Sequence, residues 1–331
     1  MDGTPTCRLN DYICSQLAAN KVDHGDPIPR SSLPGPQELK LEVNDEIIEA
    51  VEAAGKAFDA LVDKHELRVC VFKGYGKDLI KKFRLSPDAY AQMVIQLAYY
   101  KMYGKPCATY ESAQTRKFRN GRTEVCRTLS SDSLDWNKAM VDPSVSVSPS
   151  LLVLTAAKSF VSFVTQAEKK VELLRKAIDS HTRYMADAVE GRGCDRHLLG
   201  TDTRVRAFVH GSDLIIADGP MRLLFYQGLR MLLKPEEPKP AIFTDPAYAK
   251  SAHWQLSTSQ LTSSHFSGYG WGEVVPDGFG VAYMIKGRSL HFNVVSMKLG
   301  SERLVQYLSE AAGDMRDVLE KVLGPEIKSK L

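Results

Sequence analysis

The stretch from Ser86 to about Met102 constrains this chain more than any other. Ser86-Pro87-Asp88 places a capping hydroxyl, a proline at the first helical position and an acid in the first turn. The residues after Asp88 are apolar on nearly every side. A helix with no polar face must be buried, so the fold needs elements to wrap it. At 331 residues the chain has room for about two domains at ~150 residues each and can supply that cover.

Candidate elements to wrap it are spread along the chain. Residues 1–40 begin with one short helical pattern and become loop-like where Pro27, Pro29, Pro34 and Pro36 crowd together. Ile47, Val51, Ala54, Phe58 and Leu61 recur at spacings of three and four, an amphipathic helix that Asn44 can cap. Arg68 to Lys73, β-branched and aromatic, predicts a strand. Val171, Leu174, Ile178, Met185 and Ala188 predict a long helix that Gly191 can end. Gly278 to Ile285 and Leu290 to Ser296 predict strands joined by a hairpin-length connection, and a charged amphipathic helix runs from about Glu302 to Val322. Helices and strands mix without a strict βαβ rhythm and without repeats. The expected class is α/β with a mixed sheet flanked by helices.

Charge narrows the partners. Lys plus Arg at 43 against Asp plus Glu at 40 gives a net charge of +3 with both signs interspersed, which makes no electrostatic case for nucleic acid. The most apolar run, Leu151 to Val164, is broken by Lys158 and is shorter than the ~20 residues a membrane helix needs, so no span is expected. The six cysteines are scattered with no C-x-x-C pair and no histidine spaced to close a zinc tetrahedron; they read as reduced thiols, with no metal expected. Met1 to Pro5 has no leader character. The last three residues, Ser329-Lys330-Leu331, form a peroxisomal address read by an import receptor.

Four constellations carry possible chemistry. Lys77, Lys81, Lys82 and Arg84 come after Gly74-Tyr75-Gly76 and suit a phosphorylated small molecule, against a solvated charge run as the plainer reading. Thr109-Tyr110-Glu111-Ser112-Ala113, with Gly121-Arg122-Thr123 shortly after, offers neutral donors and a cation for a small carboxylate, or else a turn with self-capping hydroxyls. Leu256 to Gln260 ends four consecutive side chains in hydrogen-bonding groups; in a strand at most two address one site. Trp271 stands among glycines as core or pocket wall. None of the eight histidines sits in an H-x-x-x-D motif, and even His197, the most suggestive by context, reads as structural.

In order and wording these runs resemble the choline/carnitine acyltransferase family, its fungal peroxisomal and mitochondrial carnitine O-acetyltransferase branch above all. The matching text is Tyr75-Gly76-Lys77, Leu85 to Ala89, Gln96 to Tyr100, Ala108 to Ala113, Gly121-Arg122-Thr123, Asp195 to Gly200, Leu256 to Gln260 and Val274 to Gly280. The resemblance implies the carboxyl-terminal half of a two-domain enzyme of the CoA-dependent, chloramphenicol acetyltransferase-like fold, moving acetyl or another short acyl group between CoA and carnitine. Lys77 and Lys81 would meet the CoA phosphates. Lys82, Arg84, Ser86 and Asp88 would line its nucleotide and pantetheine, and Gln260 would touch it near the thiol. Tyr110, Ser112, Thr123 and Arg196 would hold the carnitine carboxylate, with Trp271 near the trimethylammonium group. Ser259 would stabilise developing negative charge, and Tyr269 would limit the acyl group to short chains.

The resemblance also implies departures. The family's general-base histidine would lie a few residues before Met1, with Asp2 matching the acid that orients it, so the isolated chain is expected to be inactive. A non-catalytic CoA- and carnitine-binding fragment is the alternative. Residues 1–40 then read as a remnant of the inter-domain catalytic segment and its Pro-rich linker, 41–325 as the CoA- and carnitine-binding domain, and 326–331 as the tail. Two segments at about 147–166 and 201–228 lack the family's wording and are expected to be irregular loops outside the core. With a start at an internal methionine, they look like translated intron sequence. A longer form would suit the mitochondrion.

Overall fold

The computed structural model describes residues 3–21, 37–142, 156–200 and 240–328. Its centre is a six-stranded mixed sheet. In chain order the elements are α1 (Gly3–Ala18), α2 (Asp45–Val62), β1 (Glu66–Phe72), α3 (Lys77–Lys82), α4 (Pro87–Tyr103), β2 (Thr109–Gln114), β3 (Thr123–Arg127), α5 (Ser131–Val141), α6 (Ala156–Val189), α7 (Pro246–Ser251), β4 (Leu256–Gln260), β5 (Phe279–Ile285), β6 (Leu290–Ser296) and α8 (Ser301–Lys328). The strands lie in the order β1-β6-β5-β4-β2-β3. β4 is parallel to both β2 and β5, and the other pairs are antiparallel. This is the mixed α/β sheet flanked by helices that the sequence predicts.

Helix α4 is the expected buried rod. Ser86 caps it through the Ala89 N–H, Pro87 takes the first turn, and Gly104 closes it in the left-handed region at φ 68°, where glycine carries no Cβ penalty. Only Tyr100, Lys101, Tyr103 and its first two residues escape full burial. It packs on the sheet at β5 and is covered by α5, α6 and α8. Strand β5 is buried at every residue, which accounts for its unbroken apolar run rather than an alternating one. The start of α8 is fixed from the far end of the chain, since Glu66 Oε1 on β1 accepts the N–H groups of Gly300 and Ser301 at 2.7 Å each.

Several sequence expectations are met closely. Asn44 Oδ1 accepts the Ile47 N–H at 2.9 Å, and Gly191 takes φ 72° just after α6. Others need correction. The described part of the first proposed insert, 156–166, is no irregular loop but the continuous start of α6, which runs on through Val171 and Leu174. Residues 147–155 and the second insert, 201–228, lie outside the described residues, as do Asp2 and Ser329-Lys330-Leu331. Helix α2 has the predicted stripe, yet none of its residues is buried, and Val51 and Phe58 are 66% and 64% exposed. The periodicity is local, whereas cover is a tertiary matter.

Truncating a fully buried side chain of α4 tests its central role. Leu97→Ala should lower the unfolding free energy by ~2–5 kcal/mol in urea denaturation, whereas Leu199→Ala, at an exposed position, should stay within ~0.5 kcal/mol of wild type.

Candidate functional site

Strands β2 and β4 run side by side for only three residue pairs, Thr109–Leu256, Tyr110–Ser257 and Glu111–Thr258. Beyond them both strands continue but no longer pair with each other. The sheet is therefore parted at this point, and a cavity of about 770 Å³ occupies the gap. Ser257, Thr258, Ser259 and Gln260 all line it. That exceeds the two residues strand alternation allows for a one-sided site, because the opening reaches across the sheet. The Thr109 to Ala113 run is strand, not the self-capped turn.

Of the residues singled out from sequence, Asp88, Tyr110, Ser112, Thr123, Ser259, Gln260 and Trp271 line this cavity. Arg196 stands at its rim. One Arg196 Nη2 donates to Thr123 Oγ1 at 3.1 Å and to Tyr110 Oη at 3.2 Å, and Ser112 Oγ donates to that same phenol at 3.1 Å. A guanidinium, a phenol and two hydroxyls thus converge, a donor set fitted to a small carboxylate. Tyr269 lies behind them, with its hydroxyl donating to the Ser259 carbonyl at 2.6 Å and its ring 5.6 Å from Trp271; burial raises its phenol pKa.

The basic cluster sits apart. Lys77, Lys81, Lys82 and Arg84 do not line the cavity; they stand exposed on α3 and the turn after it, and no ion pair among the described residues neutralises them. Gly76 explains how that helix is docked. A Cβ there would fall 2.2 Å from the Lys286 carbonyl, so only glycine lets the chain lie against the β5–β6 turn, where the Lys77 and Asp78 N–H groups bond the Lys286 and Gly287 carbonyls. Arg84 holds φ 58°, a left-handed residue that turns α3 directly into α4. Ser86 is its cap rather than a cavity residue.

Sequence reasoning missed what supports the site. Arg127 makes a bidentate pair with Asp195 at 2.9 and 2.6 Å, donates to the Ser251 carbonyl at 2.9 Å and stacks its guanidinium 4.8 Å over Trp254. Burial opposes the charge on Arg127, but the Asp195 hydrogen bond and charge outweigh it and raise its pKa. This clamp fixes the chain one residue before Arg196. Beneath the cavity, Gln92 of α4 donates to Thr258 Oγ1 at 2.9 Å and to Tyr283 Oη at 3.0 Å, and Gln96 donates to Thr109 Oγ1 at 2.8 Å. Two glutamines four residues apart in an apolar helix are the signal that could have revealed them, since buried amides must find partners. His181 meets Glu111 at 2.6 Å, with Cys126 Sγ 3.8 Å from the same ring nitrogen. These three come from separate elements, so no spacing rule could have grouped them. No histidine lines the cavity among the described residues, and His197 is exposed on the segment after Gly191.

A parted mixed sheet enclosing a polar cavity, with a carboxylate-type donor set on one rim, marks an α/β protein built to bind a small ligand. The chain belongs to the Choline/Carnitine o-acyltransferase family, whose sequence profile matches residues 1–310. It is 34% identical over 331 residues to the mitochondrial carnitine O-acetyltransferase of Saccharomyces cerevisiae, covering 97% of this chain and 42% of that protein. Against human carnitine O-acetyltransferase it is 34% identical over 323 residues, covering 96% of this chain and 44% of that one. Zebrafish choline O-acetyltransferase matches at 31%, with 97% and 44% covered. The chain therefore spans rather less than half the length of these relatives. Among the described residues, no helix is long and apolar enough to cross a membrane.

Removing the charge of Asp195 tests the clamp. Asp195→Asn should cost ~1–3 kcal/mol in chemical denaturation, because it leaves a mostly buried guanidinium short of its partner; an unchanged midpoint would deny the pair this role.

Proposed function

We propose that this chain is the carboxyl-terminal, substrate-binding part of a carnitine O-acetyltransferase, which transfers short acyl groups between CoA and carnitine. The observation that carries this reading is the convergence of Arg196, Tyr110, Thr123 and Ser112 at the cavity rim. Carnitine presents a carboxylate to such a set, whereas choline has none. The similarity to choline O-acetyltransferases extends over as much of the chain, so it is this rim that favours carnitine.

The remaining roles are argued from position. Trp271 offers an aromatic face to the trimethylammonium group, a contact worth ~0.5–2 kcal/mol. Ser259 is the hydroxyl placed to donate to an oxyanion as charge develops in the transition state. Gln260, Asp88 and the α4 start receive the pantetheine arm. Lys77, Lys81, Lys82 and Arg84 attract the phosphates, and their exposure suits a ligand whose nucleotide end leaves the cavity. Bulk at Tyr269 limits the acyl group. Acyl transfer also needs a base for the carnitine hydroxyl or the CoA thiol; following the family resemblance, we assign that base to the part of the relatives' length that this chain does not span and expect no turnover from the chain alone. The alternative, a binding module without catalytic duty, differs only in what the extended protein does. Acetyl-CoA and carnitine supplied to a protein extended to the relatives' full length should give acetylcarnitine.

Calorimetric titration tests the binding roles on the chain itself. Arg196→Ala should weaken carnitine roughly 10- to 100-fold, the loss of a charge-assisted hydrogen bond set, while leaving choline unaffected. Lys77→Ala with Lys81→Ala should weaken CoA most at low salt, where screening is least. Equal loss of choline and carnitine on Arg196→Ala would sink the carnitine reading.

We also propose that Ser329-Lys330-Leu331 directs the chain to peroxisomes. A fluorescent protein fused ahead of residue 1 should give a punctate peroxisomal signal that becomes diffuse when these three residues are deleted; a diffuse signal from the intact fusion would exclude the address.

A further inference from the structure

The floor of the cavity holds more acid than its hydrogen bonds can accommodate as charge. Tyr283 Oη lies 2.8 Å from Asp88 Oδ1 and 3.0 Å from Glu111 Oε1, and it already accepts the Gln92 amide at 3.0 Å. A phenol has one proton to give. With two carboxyl oxygens against it, one of the two contacts must use a proton that the carboxyl itself carries. Glu111 is not that group. Its other oxygen, Oε2, takes the His181 Nε2–H at 2.6 Å, a contact suited to an ionised acceptor, while the single Thr128 hydroxyl proton has a nearer acceptor in Gln92 Oε1 at 3.3 Å.

We propose that Glu111 and His181 are positioning residues that hold Asp88 as a neutral carboxylic acid at the cavity floor, its proton spent on the Tyr283–Glu111 pair and its second oxygen offered to ligand as an uncharged acceptor. Burial raises the Asp88 pKa to about 7, with the Glu111 charge adding to it. Burial alone would lower the His181 pKa, but the Glu111 hydrogen bond and charge outweigh it and raise it. The titratable groups facing this cluster are Asp88 on α4, Glu111 on β2, Cys126 on β3, His181 on α6 and Tyr283 on β5. Burial pushes the Cys126 thiol up, so it adds no charge. Arg8, Arg116 and Arg122 line the same cavity.

A metal ion is the competing occupant, because Glu111, Cys126 and His181 offer three donor atoms within 4.8 Å of one another. The geometry favours a proton. Nitrogen and oxygen ligands at ~2 Å from one tetrahedral ion stand roughly 3.3 Å apart, whereas His181 Nε2 and Glu111 Oε2 are 2.6 Å apart.

A neutral acceptor here suits an amide N–H of the pantetheine arm and does not repel the phosphates of the same molecule. This ligand half rests on the CoA reading proposed for the chain; the proton half does not. Infrared spectroscopy of the unliganded chain separates them. A protonated-carboxyl C=O band should be present at pH 6, disappear with a midpoint near 7, and be absent at every pH in Asp88→Asn. In Glu111→Gln the midpoint should fall by about one unit or more, as expected when a like charge is removed. Absence of the band at pH 6, or its survival in Asp88→Asn, would overturn the proposal. So would a stoichiometric zinc ion retained on purification and lost in Cys126→Ser. If either carboxyl variant fails to fold, carbon-13 labelling of aspartate carboxyls in the wild-type chain decides, through one resonance that titrates near 7. CoA affinity should fall as pH rises through 7 in the wild type and stay flat in Asp88→Asn. A flat wild-type profile beside an intact band would remove the ligand role, and an absence of CoA binding would instead count against the cofactor reading.

Discussion

The structure depends on how α4 satisfies two amides that it carries into a place without water. Gln92 and Gln96 lie one helical turn apart on the face that meets the sheet, and each must find partners or forfeit about 1–3 kcal/mol. They find them on different strands: Thr109 on β2, Thr258 on β4 and Tyr283 on β5. These bonds set the register of the helix against three strands at once, which non-directional apolar packing could not do. They also hold Thr258 at the last point where β2 and β4 pair, just before the strands part.

The parting is what makes a site. While two parallel strands stay paired, alternating side chains address opposite faces and no small molecule can meet both. Once pairing stops after Glu111 and Thr258, the cavity reaches residues from α1, α4, α6 and the segment carrying Trp271. The first helix is held there by Asp11, whose carboxylate accepts from Ser263 Oγ at 2.5 Å and His265 Nδ1 at 2.8 Å. Opening a sheet interior exposes polar backbone that ladder bonds would otherwise satisfy. The hydroxyl-rich lettering of β4 and its neighbours fits that need as well as the chemistry proposed for it.

The charges around the cavity are arranged by distance from water. The lysines of α3 stand exposed and unpaired by any described acid, where they can attract anions but contribute little to stability. Arg127 is mostly buried and fully engaged, and serves to hold the backbone beside Arg196. Arg196 is exposed as well, but it is tethered by neutral groups at the rim and paired with no described carboxylate. A cation so placed is oriented without being neutralised, which is the state in which a ligand carboxylate gains most from it.

Much was legible in the sequence because it is encoded locally. The caps at Asn44 and Ser86, the stop at Gly191, the hairpin strands and the rod of α4 each arise from a few neighbouring residues whose backbone preferences and periodicity act over one or two turns. The wording of the Tyr110, Arg196 and Ser259 segments likewise pointed to a shared site and a family. Other features depend on residues brought together from distant parts of the chain. The Glu111–His181–Cys126 cluster joins three elements, the Arg127–Asp195 clamp joins two more, and the exposure of α2 depends on what does or does not cover its stripe. Even the helicity of 156–166 stems from its continuity with α6 and not from its own unfamiliar wording. Sequence by itself determined which segments become helix or strand and which side chains have chemistry to offer; the tertiary structure alone decided which of them meet, because hydrogen bonds and ion pairs act over a few ångströms in space and take no account of separation along the chain.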